Sequence, residues 1–252
     1  MPTFDSNGVA IRYETFGDDA KKPIVLVHGF ASSLTGNWVN SGIVDALTPL
    51  RHVIALDCRG HGESDKPHEP EAYAGDAMPG DVIGLMDHLG VERADLFGYS
   101  MGSRISLQLI TGHPERFTSV ILGGVGGVPN ARGGGRPNVV EALLAEDAST
   151  VSDPVGRGFR AFAEANNNDL KALAACMGAG RGVSDGSDLR KIALPMLIVN
   201  GDKDTTVGSP DELAAAIPGA RLIKIPERDH LTVVGDQRFR DAAVAFLHEQ
   251  DA

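Results

Sequence analysis

Short apolar runs separated by helical segments are the feature that most constrains the fold of this chain. Most of these runs are rich in Val, Ile or Leu and end at Gly, Pro or Asp, which is typical of strands buried on both faces of a parallel sheet. The six runs are PIVLVHG (23–29), HVIALD (52–57), ADLFGYS (94–100), SVILGG (119–124), PMLIVNGD (195–202) and RLIKIP (221–226). Because such strands need helices on both faces, the alternation predicts a doubly wound α/β fold.

The segments between the runs have the apolar spacing of amphipathic helices. Apolar side chains recur at i, i+3, i+4 and i+7 in residues 76–89, and similar spacing occurs at 103–113, 209–217 and 236–250. Two alternating segments around the turn SNG near the N-terminus predict an antiparallel hairpin at the sheet edge. We therefore expect a mostly parallel, twisted sheet of about eight strands with helices on both faces.

One stretch of the chain breaks this alternation. It contains no strand candidate, but VVEALLAED (139–147) and DLKALAACM (169–177) have helical spacing and lie between glycine-rich segments. We expect residues 129–188 to form a small helical cap, inserted into a core domain of residues 1–128 and 189–252. A flexible linker is the alternative interpretation of the glycine-rich segments.

Charge and cysteine content bear on partners and location. The formal net charge is -11 with no cluster of Lys or Arg, so a nucleic-acid backbone or an anionic membrane would be repelled. No apolar run reaches the roughly 18 residues of a membrane span, and the first residues lack the pattern of a secretory signal. Cys58 and Cys176 are the only cysteines and lie in no metal-binding spacing. These features predict a cytoplasmic protein without nucleic-acid or membrane partners, and they leave its oligomeric state open.

The segment Gly98-Tyr99-Ser100-Met101-Gly102 matches the pattern G-x-S-x-G between a strand-like and a helix-like run. Small residues at both ends of this segment allow a sharp turn that exposes the serine hydroxyl above the sheet. A serine nucleophile needs a histidine to take its proton and an acid to orient that histidine. The chain places both after later strands: the carboxylates of GDKD (201–204) and the histidine of ERDHL (227–231). Ser100, His230 and either Asp202 or Asp204 are therefore candidate catalytic residues.

These motifs together resemble the α/β-hydrolase fold superfamily, in its serine-nucleophile, esterase-like branch with a short helical cap. The matching stretches are HGF (28–30), DCRGHGES (57–64), GYSMG (98–102), GDKD (201–204) and His230. In similar proteins the catalytic acid is the last residue of a G-x-x-D pattern, which is Asp204 here. The resemblance also implies that the backbone N–H groups of Phe30 and Met101 form an oxyanion hole. The chain departs from the family pattern at Asp229, where glycine usually precedes the histidine.

The resemblance implies a reaction class. A serine at the turn, rather than aspartate, argues against epoxide hydrolase and haloalkane dehalogenase chemistry, which needs a carboxylate nucleophile. We expect hydrolysis of a small-molecule acyl ester of small to medium size, with no cofactor and no metal ion. A carbon–carbon bond hydrolase and a lactonase or enol-lactonase are the alternatives within the fold. A small-molecule receptor that has lost catalysis is the alternative of another class.

Three aromatic residues are candidates for the substrate pocket. Trp38 begins a predicted helix shortly after the HGF stretch, and Phe159 and Phe162 lie in the predicted cap. For Trp38 the alternative is core packing, and for the two phenylalanines it is docking of a cap helix. We interpret His28 and His61, each in an HG dipeptide, as structural residues.

Overall fold

The computed structural model describes residues 1–128, 136–179 and 188–251, and an eight-stranded sheet forms the centre of the fold. Its strands are β1 (Thr3–Ser6), β2 (Val9–Phe16), β3 (Pro23–Val27), β4 (His52–Leu56), β5 (Ala94–Tyr99), β6 (Phe117–Gly123), β7 (Met196–Gly201) and β8 (Arg221–Ile225). Their order across the sheet is β1-β2-β4-β3-β5-β6-β7-β8. Strands β1 and β2 pair antiparallel, as does β2 with β4, and all other pairs are parallel. This architecture confirms the predicted fold class.

The sheet separates two hydrophobic cores. In β3, Val25 and Val27 contribute to one core, whereas Ile24 and Leu26 contribute to the other. Successive side chains of a strand point to opposite faces, and all four of these are fully buried. Burial on both faces is the reason why β3 reads as a continuous apolar run rather than as an alternating pattern.

Helices cover both faces of the sheet. In the described ranges they are α1 (Ile43–Leu47), α2 (Ala77–His88), α3 (Met101–Gly112), α4 (Pro137–Leu144), α5 (Pro154–Ala165), α6 (Leu170–Gly178), α7 (Pro210–Ala216) and α8 (Gln237–Glu249). Helices α1 and α8 bury their apolar side chains in one core, and α2, α3 and α7 bury theirs in the other. The four helices predicted from their spacing correspond to α2, α3, α7 and α8. None of the helices within these ranges is both long and apolar enough to cross a membrane.

Helices α4, α5 and α6 lie between β6 and β7 in the chain, where the sequence predicts the cap. They pack on one another and extend the core that contains α3. Asn168 Nδ2 donates a hydrogen bond to the backbone oxygen of Ala31 at 2.9 Å, which ties the helices to the HGF loop. Residues 129–135 and 180–187, which belong to the predicted cap, lie outside the described residues, so its boundaries stay predictions.

The stretch DCRGHGES begins with a buried carboxylate directly after β4. Asp57 accepts hydrogen bonds from the backbone N–H groups of Leu34 (2.7 Å) and Glu63 (2.9 Å), and pairs with Arg12 at 2.9 Å. An unpaired buried carboxylate would be strongly unfavourable, and here each oxygen has a donor. Asp57 therefore holds its own loop and the segment that follows the HGF stretch in fixed positions.

Candidate active site

Ser100 occupies the sharp turn between β5 and α3. Its φ of 53° and ψ of -107° are strained for a residue with a side chain, and its N–H bonds to Gly123 O at 2.8 Å. A Cβ added to Gly102 would lie 1.8 Å from Val27 O, and one added to Gly98 would lie 2.5 Å from Gly102 O. Only glycine fits at these two positions, because the start of the helix packs directly on the neighbouring backbone.

The structure brings three predicted catalytic residues together. Ser100 Oγ lies 2.9 Å from His230 Nε2, and His230 Nδ1 lies 2.7 Å from Asp204 Oδ2. Asp204 follows β7 and its side chain is 1% exposed, whereas His230 follows β8. The rival acid, Asp202, is exposed and accepts the backbone N–H of Glu227 at 2.8 Å. The order of residues in the sequence left both Asp202 and Asp204 as candidates for the acid, and the geometry favours Asp204.

The protonation of this group follows from the environment of Asp204. Burial alone would raise the pKa of Asp204, but the hydrogen bond and charge of His230 outweigh it, together with the N–H groups of Thr206 and Val207. The net pKa of Asp204 lies below its usual value, so the carboxylate is ionised at neutral pH. An ionised carboxylate can only accept a hydrogen bond, which assigns the proton of neutral His230 to Nδ1. Nε2 is then available to accept the proton of Ser100.

Two neighbours hold the histidine loop in place. The hydroxyl of Tyr99, which is buried, donates to the backbone oxygen of His230, and the two rings lie 5.7 Å apart. Asp229 Oδ1 accepts the N–H groups of Leu231 (3.1 Å) and Thr232 (2.9 Å), so its carboxylate closes the turn after the histidine. The departure from the family pattern at Asp229 thus has a local structural role. The contribution of Tyr99 was not predicted from the sequence.

The HGF loop and the start of α3 form the candidate oxyanion hole. A Cβ on Gly29 would lie 3.3 Å from Ser100 Cβ, so this loop adjoins the nucleophile. Within the described residues, the N–H groups of Phe30 and Met101 donate to no protein acceptor. Two free N–H groups beside a serine hydroxyl can stabilise a tetrahedral oxyanion. The role of Phe30 and Met101 stays a prediction that this arrangement favours.

Two side chains fix the HGF loop, and only one of them was considered from the sequence. Asn37, which is buried, lies in a five-residue π-helix (Thr35–Val39), and its Oδ1 accepts the N–H of Gly29 at 2.7 Å. His28 Nδ1 lies 2.7 Å from Gly29 O and its Nε2 lies 2.9 Å from the backbone nitrogen of Cys58. Burial lowers the pKa of His28, which favours the neutral ring that both bonds require. These contacts give His28 a structural role in the loop.

Replacing Asn37 by alanine is expected to lower kcat by about 10-fold with little change in KM. Removal of a direct oxyanion donor costs on the order of 100- to 1000-fold, and Asn37 acts only through the peptide that precedes Phe30. Steady-state kinetics would separate kcat from KM, with Asn37→Asp retaining the acceptor and more activity than Asn37→Ala. The matched control is Asn40→Ala, an exposed asparagine at the end of the same turn. Equal kinetics for both alanine variants would contradict this positioning role.

The structure separates the three pocket candidates. Trp38 is fully buried and packs against Phe97 at 5.1 Å between ring centroids, in the core that faces α1 and α8. A side chain without exposed surface cannot contact a substrate, so the assignment of Trp38 to the pocket is corrected to core packing. Phe159 of α5 makes an edge contact with Phe30 at 5.8 Å and thus lies over the HGF loop. Phe162, also on α5, is partly buried against the cap side of the core, and its pocket role stays a prediction.

Within residues 1–128, 136–179 and 188–251, no group of three or more His, Cys, Asp or Glu is arranged to hold a metal ion. The described side chains and backbone of the site provide a candidate nucleophile, a candidate base, an acid in contact with that base, and two free N–H groups.

Comparison with known proteins identifies the fold superfamily of this chain. The crystal structure of the enol-lactonase from Burkholderia xenovorans LB400 is 26% identical with a TM-score of 0.81, over 98% of this chain and 100% of that chain. A family model for the alpha/beta hydrolase fold matches residues 22–132, which include the HGF loop and the turn at Ser100. The chain belongs to the α/β-hydrolase fold superfamily. The predicted resemblance is confirmed at the level of the superfamily.

Other members of the superfamily resemble this α/β-hydrolase over nearly its whole length. The structure of an esterase from Rhodococcus sp. ECU1013 is 25% identical with a TM-score of 0.80, over 98% of this chain and 97% of that chain. The 2-hydroxymuconate semialdehyde hydrolase of Pseudomonas sp. (strain CF600) is 29% identical, over 96% of this chain and 92% of the relative. This α/β-hydrolase is accordingly an enzyme, and the receptor alternative is set aside.

Proposed function

We propose that this α/β-hydrolase is a carboxylesterase that cleaves small to medium acyl esters through an acyl-enzyme intermediate. The observation that carries the proposal is the continuous contact from Ser100 Oγ to His230 (2.9 Å) and from His230 to Asp204 (2.7 Å). A serine becomes nucleophilic only when a positioned base can take its proton, and this arrangement provides that base. A small-molecule acyl substrate and a cytoplasmic location without nucleic-acid or membrane partners belong to the same proposal.

The reaction begins with attack of Ser100 Oγ on the acyl carbonyl carbon, while His230 Nε2 takes the hydroxyl proton. The carbonyl oxygen becomes an oxyanion and accepts hydrogen bonds from the N–H groups of Phe30 and Met101. As the tetrahedral intermediate collapses, the imidazolium gives its proton to the leaving alkoxide, and the alcohol departs. Water then attacks the acyl-enzyme, His230 takes its proton and returns it to Ser100, and the carboxylic acid is released. Asp204 stays ionised throughout and stabilises the imidazolium.

Two alternatives use the same nucleophile on different substrates. The similarity to an enol-lactonase structure favours a lactonase or enol-lactonase, in which the leaving oxygen stays attached to the acyl group. The similarity to a 2-hydroxymuconate semialdehyde hydrolase favours a carbon–carbon bond hydrolase, in which the leaving group is a carbon that must be protonated. The serine, base and oxyanion donors serve all three reactions, so these groups do not distinguish the three substrate classes. Both alternatives therefore stay as second candidates.

A series of p-nitrophenyl esters from acetate to decanoate tests the proposal. We expect release of nitrophenol that reaches a maximum at a short or intermediate acyl chain, because the pocket has a finite size. The same protein is assayed with a five-membered enol-lactone and with a vinylogous 1,5-diketone, and the three values of kcat/KM are compared. A kcat/KM for either alternative substrate far above that of the best ester would overturn the carboxylesterase proposal in favour of that alternative.

A further inference from the structure

Arg136 directly precedes α4 and lies beside the loop that carries Asp204. Its Nη2 donates a hydrogen bond to the backbone oxygen of Thr206 at 2.9 Å. The N–H of Thr206 in turn donates to Asp204 Oδ1 at 2.9 Å. Thr206 therefore links the guanidinium of Arg136 to Asp204, the carboxylate that contacts His230.

A second set of contacts links Arg136 to the oxyanion side of the site. Its guanidinium carbon lies 5.6 Å from the ring centroid of Phe159, within the range of a cation–π contact. Phe159 in turn makes its edge contact with Phe30, which supplies a candidate oxyanion donor. Arg136 is thus held from two directions, by the acid loop and by the cap, on the side of the site where α5 covers the HGF loop.

The charge of Arg136 lacks an anionic partner within the described parts of the chain, where no carboxylate lies within ion-pair distance of it. By contrast, Arg160 of the same cap pairs with Glu164 at 2.9 Å. Arg136 is also half-buried, so the solvent shields its charge only in part. In a chain of net charge -11, a half-buried cation without a carboxylate partner, beside the loop that carries Asp204, is suited to attract an anion.

We propose that Arg136 binds a free carboxylate of the substrate, so that the enzyme acts on esters or lactones that carry a second, unesterified carboxyl group. Besides the Nη2 bond to Thr206 O, the guanidinium has further in-plane N–H groups that can donate to a carboxylate, and a planar carboxylate matches their geometry. The inference rests on the proposed function, because the carboxylate is recognised while the ester is cleaved at Ser100.

The test uses matched ester pairs that differ only in charge. One pair is p-nitrophenyl hydrogen glutarate and its methyl ester, with the charge on the acyl side. The other is the butyrate ester of 4-hydroxybenzoic acid and that of its methyl ester, with the charge on the alcohol side. For at least one pair we expect wild type to prefer the charged ester, and Arg136→Gln to lower the charged-to-neutral ratio of kcat/KM by about 10- to 100-fold. Arg136→Lys keeps the positive charge but lacks the paired N–H donors of a guanidinium. Its charged-to-neutral ratio of kcat/KM is expected to lie between those of wild type and Arg136→Gln.

Arg157→Gln is the matched control. Arg157 is an exposed arginine of α5 that donates to Val151 O at 3.2 Å, so its replacement removes the same charge from the same cap. Its charged-to-neutral ratio is expected to equal that of wild type. Equal ratios for the Arg136→Gln and Arg157→Gln variants on both pairs, or a wild type without charge preference on either, would overturn the inference.

Binding measured without turnover keeps the inference separate from the proposed function. Adipate is titrated calorimetrically into Ser100→Ala and into Ser100→Ala with Arg136→Gln, and we expect about 10-fold weaker binding to the double variant. If wild type cleaves no ester but this difference is seen, the carboxylesterase proposal fails and the carboxylate site stands. If esters are cleaved but adipate binding and the ester ratios do not depend on Arg136, the carboxylate site fails and the esterase stands.

Discussion

Replacement of Ser100 by alanine is expected to lower kcat for the best ester by about 10⁴- to 10⁶-fold. Without Oγ no acyl-enzyme can form, and only the oxyanion donors and substrate binding remain to accelerate attack by water. The measurement is steady-state nitrophenol release with wild type and Ser100→Ala at equal concentration. The variant should fold normally, because alanine removes only the hydroxyl that contacts His230.

A serine on α3, the helix that follows the turn at Ser100, provides the control for this variant. Ser106 Oγ donates to Gly102 O at 2.8 Å within α3, so Ser106→Ala removes a hydroxyl close to the turn without touching the reacting atoms. It is expected to retain activity within a few-fold of wild type. A serine-directed phosphonate should label Ser100 in wild type and in Ser106→Ala but should not label Ser100→Ala. Undiminished turnover by Ser100→Ala would assign the nucleophile to another residue.

The second large loss of kcat is expected when Asp204, the proposed triad acid, is replaced. Asp204→Asn should lower kcat by about 10⁴-fold, the scale observed when a triad aspartate becomes an amide. The amide nitrogen would donate toward His230 Nδ1, which favours the tautomer whose Nε2 carries a proton and cannot take one from Ser100. The charge that stabilises the imidazolium is lost in the same step. Pre-steady-state release of nitrophenol would show that acylation itself is slowed.

Asp202→Asn is the matched control for the acid, because it makes the same chemical change two residues earlier in the same loop. Asp202 is exposed, and an asparagine there keeps the oxygen that accepts the N–H of Glu227. Its kcat is expected to stay within a few-fold of wild type. A larger loss in Asp202→Asn than in Asp204→Asn would transfer the role of the acid to Asp202.

Much of the fold could be predicted from the sequence because its signals are local. A strand buried on both faces, such as β3, is apolar along its whole length, and the amphipathic helices between such strands repeat their apolar residues at helical spacing. The turn at Ser100 also carries a local signal, because the pattern G-x-S-x-G lies between a strand-like and a helix-like run. Chain order and resemblance then pointed to His230 and Asp204.

Other features depend on contacts between distant residues and carry little local signal. Trp38 was open to two interpretations, and a π-helical turn, whose winding departs from the usual helical spacing, directs it into the core beside Phe97. The bond from Asn37 to Gly29 and the bond from Tyr99 to His230 are visible only once separate loops meet. The same holds for Arg136, which is one charged residue among many in the sequence.

The sequence by itself thus determined the α/β fold, the position of the candidate nucleophile and the set of its candidate partners, because periodicity and tight turns act over a few neighbouring residues. Only the tertiary structure decided which carboxylate meets His230 and which side chains hold the oxyanion loop. Ser100 and His230 are separated by 130 residues in the chain yet lie in hydrogen-bond contact. Such contacts are set by how the strands order themselves across the sheet, and no local pattern specifies that distance.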